Sequence, residues 1–212
     1  SPAYLDGKER SFSAPARARR WYWLGFHLFW AALLAVPVAS NLGLAWLLVE
    51  ATTAASALLV AHSGRRNALE AGWKYLVLTT IGLTVALLGI VVAYASASDA
   101  GGISALGWGA LGRAAAGMPH DAAVVAFVLL LAGLATKIGW APVHNWLPDA
   151  HSEAPSPVSA LLSAALLPAV ALVAWRTKIA LEPAVGGDTT RAVFIGFGLA
   201  SLAVAVPFLW RG

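Results

Sequence analysis

Six apolar runs fill most of this chain, at roughly residues 21–40, 42–63, 69–97, 122–150, 157–179 and 190–210. Most have the length at which one helix crosses a bilayer, about 20 residues for a hydrocarbon core of about 30 Å. At that depth no water meets the backbone, so each N–H and C=O must find its partner within the protein. The expectation is an all-α fold: a polytopic transmembrane bundle of about six helices. Composition agrees. Hydrophobic residues make up 59% of the 212 and charged residues only 11%, against about 25% charged in soluble domains.

The remaining polar sequence is informative about orientation. "SPAYLDGKERSFSAPARARR" opens the chain and lacks the order of a signal peptide, in which a basic end precedes a short apolar core. Residues 1–20 are therefore read as a polar cytoplasmic connector. The abrupt stop at "VPFLWRG", straight after an apolar run, adds the expectation of a piece of a longer chain. With alternating crossings, one side receives Lys8, Arg10, Arg17, Arg19, Arg20, Arg65, Arg66 and Arg211, and the other Arg113, Arg176, Lys178 and Arg191. That asymmetry puts the N-terminus in the cytoplasm. The one dense basic cluster, Arg17, Arg19 and Arg20, lies against the first apolar run, so no nucleic-acid partner is expected. Cysteine is absent, which excludes a disulfide framework and a thiolate metal site. The Gly- and Ala-rich stretch 98–121 has room for a short surface helix.

Against this apolar background a few ionisable groups stand out. Charges within membrane segments are costly and usually mark function. Glu50 lies about eight residues into the second run, roughly 12 Å deep at 1.5 Å per residue. Trp46 and Thr53 flank it at about one turn. Lys74 sits a turn or two inside the third run, with Thr84 deeper. Pairing that merely orients helices is one reading of Glu50 and Lys74, and ion transfer is the other. Lys74 also has the option of reaching the nearer surface with its long stem.

Lys137 is harder to explain by packing. It opens "KIGWAPVHNWLPDAHSEAPSPVSALL", where Gly139 and Pro142 interrupt an apolar run. As one straight helix that run would measure roughly 43 Å, so two half-helices are expected, broken between about Lys137 and Pro142. Broken backbone at membrane depth is tolerated where it is buried in protein or lines a wet cavity. Ionisable groups at such breaks characterise transporters. Desolvation disfavours a charged lysine and a nearby carboxylate favours it, so a lysine between the two influences can load and release a proton. Glu50 is the expected modulating partner, and Lys74 the expected relay between them. His144 and His151 extend a polar path from the break toward one surface, and histidine titrates near neutral pH. Each is also readable as a loop histidine that caps a helix. Asp149 and Glu153 read as capping or interfacial groups. Ser156, Ser159 and Ser163 share helical spacing and serve either close packing or a water wire. No nucleotide loop, metal-ligand cluster or Ser–His–Asp arrangement is present in the sequence.

"TKIGWAPVHNWLPDAHSEAPSPVSALL", together with "LLVEATTAASALLVAH" and "ALEAGWKYLVLTTIGL", resembles the antiporter-like membrane subunits of respiratory complex I. In particular it resembles their relatives in group 4 nickel–iron hydrogenases, of the hydrogenase-4 component F type. Three motifs occur in the family's order, and the likeness covers nearly all of residues 21–212. The resemblance implies two inverted five-helix repeats, the first broken at its lysine. Residues 21–179 would be that first repeat, a proton-channel unit, and 190–212 the first helix of a second, truncated one. Glu50 would match the glutamate of the second helix, Lys74 the lysine of the third, and Lys137 the central proton-carrying lysine. The fifth helix departs from the best-known pumps, which place a histidine or lysine where Ser163 or Pro168 falls here.

The expected function is that of a proton-translocating subunit, in fragment or half-length form, of a redox-driven complex. The subunit would carry no redox cofactor. Its partners would be the lipid bilayer, other membrane subunits and a peripheral hydrogenase or dehydrogenase arm. The expected location is the inner (plasma) membrane. A sodium/proton antiporter subunit and a non-pumping anchor of a peripheral oxidoreductase are the rival readings.

Overall fold

A computed structural model describes residues 16–97 and 106–210. Most of the expected N-terminal connector, part of the 98–121 loop and the last two residues lie outside the described residues.

Among the described residues all regular structure is helical, apart from an isolated bridge between Asn41 and Gly107. The first helix, α1, runs Ala16–Ala35, and α2 runs Leu42–Val60. Asn41 starts α2: its Oδ1 accepts from Leu44 N–H at 2.7 Å, occupying a donor that a helix leaves free. A short turn through Gly64, held at φ 64°, leads into α3, Arg66–Ser96. The 98–121 stretch does hold a short helix, α4, Trp108–Ala115, which buries Leu111 and Ala115. The fourth apolar run is divided as expected, into α5, His120–Ile138, and α6, Trp146–Glu153. Then α7, Ser156–Leu161, passes through a π-helical turn, Leu162–Leu166, into α8, Leu167–Val185. The last helix, α9, runs Gly187–Trp210.

Among the described residues, five helical stretches are long and apolar enough to cross a membrane: 42–63, 66–96, 120–138, 156–185 and 187–207. The protein is thus a multi-pass membrane chain. The first apolar run is not among the five. Its helix starts earlier than expected, at Ala16, and Arg19, Arg20 and His27 interrupt its apolar character. The fifth run continues beyond 179, where a loop is expected. Arg176 and Lys178 therefore lie on α8, and Lys178 is buried against Glu182 at 2.6 Å, one turn along the same helix.

Small residues set the closest helix contact, between α3 and α5. A Cβ added at Gly89 would come 2.7 Å from Leu130 N, so the two backbones approach as only glycine allows. Phe127, Leu130, Leu131 and Leu134 of α5 are fully buried beside Leu83 and Ala86 of α3. This packs α5 between α3 and α8, with α2 lying against α3 and the break of the fourth run at one end of the buried helix.

Candidate functional site

Gly139 ends α5 in the left-handed conformation at φ 79°, which a glycine adopts without a Cβ penalty. Its N–H and that of Trp140 both turn back to Ala135 C=O, at 2.9 and 3.0 Å. The next carbonyl, that of Thr136, loses its helical partner and is taken by the Trp146 indole N–H at 2.7 Å. Trp146 is the first residue of α6, so the second half-helix closes the backbone gap left by the first. Its ring is fully buried and lies 4.6 Å from the ring of Tyr75, on α3.

Lys137 lies in the last turn of α5, where the helix dipole favours a cation. Its side chain is 0% exposed. The ammonium Nζ donates to the Tyr75 hydroxyl and sits 4.4 Å from the centre of the Tyr75 ring. The Tyr75 hydroxyl and Ser56 Oγ are 2.8 Å apart, and Ser56 in turn donates to Thr52 C=O. Because that carbonyl only accepts and the ammonium only donates, the hydrogen bonds align in one direction, from Lys137 through Tyr75 to Ser56. Among the described residues no carboxylate forms an ion pair with Lys137.

Glu50, on α2, is half-buried. Its Oε1 accepts from Thr80 Oγ1 at 3.0 Å, while Oε2 is buried with no hydrogen-bond partner among the described residues. Glu50 and Lys137 thus both meet α3, Glu50 through Thr80 and Lys137 through Tyr75. Trp46, a turn before Glu50, fixes α2 to α3 by donating to Leu83 C=O at 2.7 Å.

Lys74 is placed differently. It does not stand between Glu50 and Lys137. Its side chain is 47% exposed and pairs with Glu70 at 2.8 Å and Asp149 at 3.2 Å. Successive helical residues point about 100° apart, so Lys74 faces the rim while Tyr75 faces the interior. The Asp149 contact joins α3 to the second half-helix, α6, which is the interfacial one of the two places expected of it, a cap or an interface.

His144 lies in the turn between the half-helices, with Nδ1 buried and unpartnered among the described residues. His151 is at the far end of α6. Its Nδ1 meets Ser159 Oγ at 2.8 Å, and its Nε2 meets Ser163 Oγ at 3.3 Å. His151 lies outside the five membrane-spanning stretches, and partial burial shifts its imidazole below the ordinary histidine range, because desolvation disfavours the charged form. The two serines therefore serve a histidine as well as helix packing.

Tyr75, Ser56, Thr80 and Trp146 escape the sequence reading. A signal exists for Ser56: Thr52, Thr53 and Ser56 form a polar stripe at helical spacing in an otherwise apolar helix. Tyr75 and Trp146 look like ordinary membrane aromatics until the fold brings them together.

The family model described as "NADH:quinone oxidoreductase/Mrp antiporter, TM" matches residues 39–205. A hydrogenase-4 component F homolog from Methylacidiphilum infernorum is 33% identical over 88% of this chain and 40% of its own length. An NADH-quinone oxidoreductase subunit N from Desulforudis audaxviator is 28% identical over 98% of this chain and 40% of its own. A chain of respiratory complex I from Thermus thermophilus, solved with bound aureothin, superposes with a TM-score of 0.61 at 25% identity. That match covers 81% of this chain and 37% of the other. The chain spans about 40% of the length of these curated relatives.

Proposed function

This chain belongs to the NADH:quinone oxidoreductase/Mrp antiporter transmembrane family, and we propose on that premise that it is a proton-translocating membrane subunit of a redox-driven complex, with Lys137 as its proton carrier. The carrying observation is the company Lys137 keeps. It is a fully buried amine at a helix break, hydrogen-bonded to a neutral phenol and not to a carboxylate. A direct ion pair would hold it charged, and complete isolation would hold it neutral. Glu50 acts on it from a distance, so a modest change in that field switches the lysine between its two forms.

The hydroxyls of Tyr75 and Ser56 give the lysine an oriented polar neighbour on the α2 side. On the α6 side, His151 with Ser159 and Ser163 takes the place of the basic residue that the best-known pumps carry on the fifth helix. The buried, unpartnered atoms of Glu50 and His144 are sites for bridging water, which links polar groups beyond direct reach. Lys74, with Glu70 and Asp149, forms a charged rim beside this path.

Residues 21–179 act as one proton-channel unit in this reading, and 190–212 begin a second. The partners are further membrane subunits and a peripheral oxidoreductase arm of the hydrogenase or NADH dehydrogenase kind, in an inner membrane with the N-terminus cytoplasmic. The named relatives favour redox coupling over sodium/proton exchange, since one is a hydrogenase-4 component homolog and another an NADH-quinone oxidoreductase subunit. The test is Lys137→Arg in the assembled complex in sealed vesicles. Arginine keeps the charge but does not release its proton, so redox-driven proton uptake is expected to stop while the complex stays assembled. Normal uptake in that variant would overturn the proposal.

A further inference from the structure

The break after Lys137 leaves a short stretch of backbone whose amide groups can be accounted for one by one. Gly139 and Trp140 donate to Ala135 C=O, and Val143 donates to Trp140 C=O. Pro142 has no N–H. Ala141 is buried, and its N–H leaves the segment altogether: it donates at 3.2 Å to Ser201 Oγ, on α9. The Ser201 hydroxyl spends its own proton on Phe197 C=O at 2.8 Å, which leaves its lone pairs free for Ala141.

A second contact reinforces the first. The Trp140 ring lies 5.6 Å from the ring of Phe194 and 5.5 Å from that of Phe197. Phe194, Phe197 and Ser201 follow one another at steps of three and four, so they form a single stripe along α9. Elsewhere α9 is loosely held: Ile195, Leu199, Leu202 and Val206 are all exposed. The stripe that does engage the bundle meets the break and, through Phe194, Trp175 of α8 at 6.2 Å.

We propose that Ser201 is a positioning residue for Lys137, and that α9 sets the geometry of the break through the Ala141 N–H and the Trp140 ring. The inference rests on the reading of Lys137 as the proton carrier. Lys137 is three residues before Trp140, and the same loop leads to Trp146, whose indole closes the broken end of α5. A shift of α9 along its axis moves Trp140 and Ala141 first, and with them the lip of the helix that carries the lysine. The sixth apolar run is thus more than a lipid-facing neighbour: it holds the proton site in register from outside the five-helix unit.

The test compares Ser201→Ala and Ser201→Thr in the intact complex, with Lys137→Met run in parallel. Protons taken up per electron transferred are measured in sealed vesicles, together with hydrogen exchange of residues 139–143. Loss of the acceptor is expected to speed exchange at Ala141 about tenfold, equivalent to about 1.4 kcal/mol. It is also expected to lower the proton-to-electron ratio at least about twofold, while Ser201→Thr, which keeps the hydroxyl, restores both. A Ser201→Ala complex with normal ratio would overturn the positioning role if Lys137→Met abolishes uptake. A normal ratio in Lys137→Met would overturn the carrier reading itself, and this inference with it. If Ser201→Ala does not assemble, Ser201→Thr still decides: a threonine complex with wild-type exchange at Ala141 but an altered ratio contradicts the proposal.

Discussion

At the rim of α3, Lys74 holds Glu70 and Asp149 with nearly half its side chain in the open. Inside the bundle, Lys137 is closed off from solvent with a phenol as its hydrogen-bond partner. Both lysines sit in apolar helices, and Lys137 alone is followed by a helix break. The difference lies in the face of the helix and in the charge of the partner. A half-exposed lysine between two carboxylates stays charged, and high-dielectric surroundings screen its pairs, so it contributes little either to stability or to switching. A buried lysine without an ion pair is the arrangement that the proposed switching by a distant carboxylate requires. Under the proposed function, the contrast is that between a clasp and a carrier within one fold.

Changes at the interior should therefore outweigh changes at the rim. Glu50→Gln removes the unit charge that favours the ammonium form of Lys137. It is expected to cut proton uptake about tenfold, the effect of about 1.4 kcal/mol of lost charge stabilisation. Uptake rates of the assembled variant against wild type would check this, and an unchanged rate would erase the role assigned to the carboxylate. Tyr75→Phe keeps the ring against Trp146 but leaves the Lys137 and Ser56 groups short of a partner. At the low end of its usual cost, about 1 kcal/mol, an unmet buried hydrogen bond is expected to lower uptake about fivefold, with assembly retained on native gels. A near-normal rate would mean that water replaces the phenol without loss.

Effects should shrink toward the surface. His151 is held below the ordinary histidine range by desolvation, so at pH 7 its neutral form predominates and is able to accept a proton. The pH profile of uptake should show an acid-side inflection below about pH 6.5, and His151→Asn should remove it. Persistence of the inflection would assign it to another group. At the rim, Lys74→Met should change uptake by less than about twofold, as expected for an exposed ion pair. A loss as large as that of an interior variant would collapse the distinction between clasp and carrier.

Much of this arrangement is legible in the sequence because the bilayer restricts the choices. Apolar run length gives the helices, and Gly139 with Pro142 gives the break, since one residue favours the left-handed turn and the other lacks a donor. The depth of Glu50 and of Lys137 is also legible, because both lie far inside apolar runs. The side a residue faces is less so. Lys74 and Tyr75 differ by one position, and the third run is apolar nearly all round, so its pattern does not say which face is buried. Tyr75 and Trp146 are 71 positions apart, and only the packing of α6 on α3 makes them neighbours. The length of α8 departs from the sequence reading for a simpler reason: a helix runs on past the apolar boundary when polar side chains such as Lys178 and Glu182 pair along it.

The most direct measurement places the two lysines side by side. Lys137→Met and Lys74→Met, each in the fully assembled complex in sealed vesicles, are compared for proton uptake driven by the same rate of electron transfer. Methionine keeps the length and removes the proton site. The account predicts that uptake is abolished in Lys137→Met and close to normal in Lys74→Met. Undiminished uptake in Lys137→Met would contradict it, and would make this subunit an anchor past which protons travel by another route.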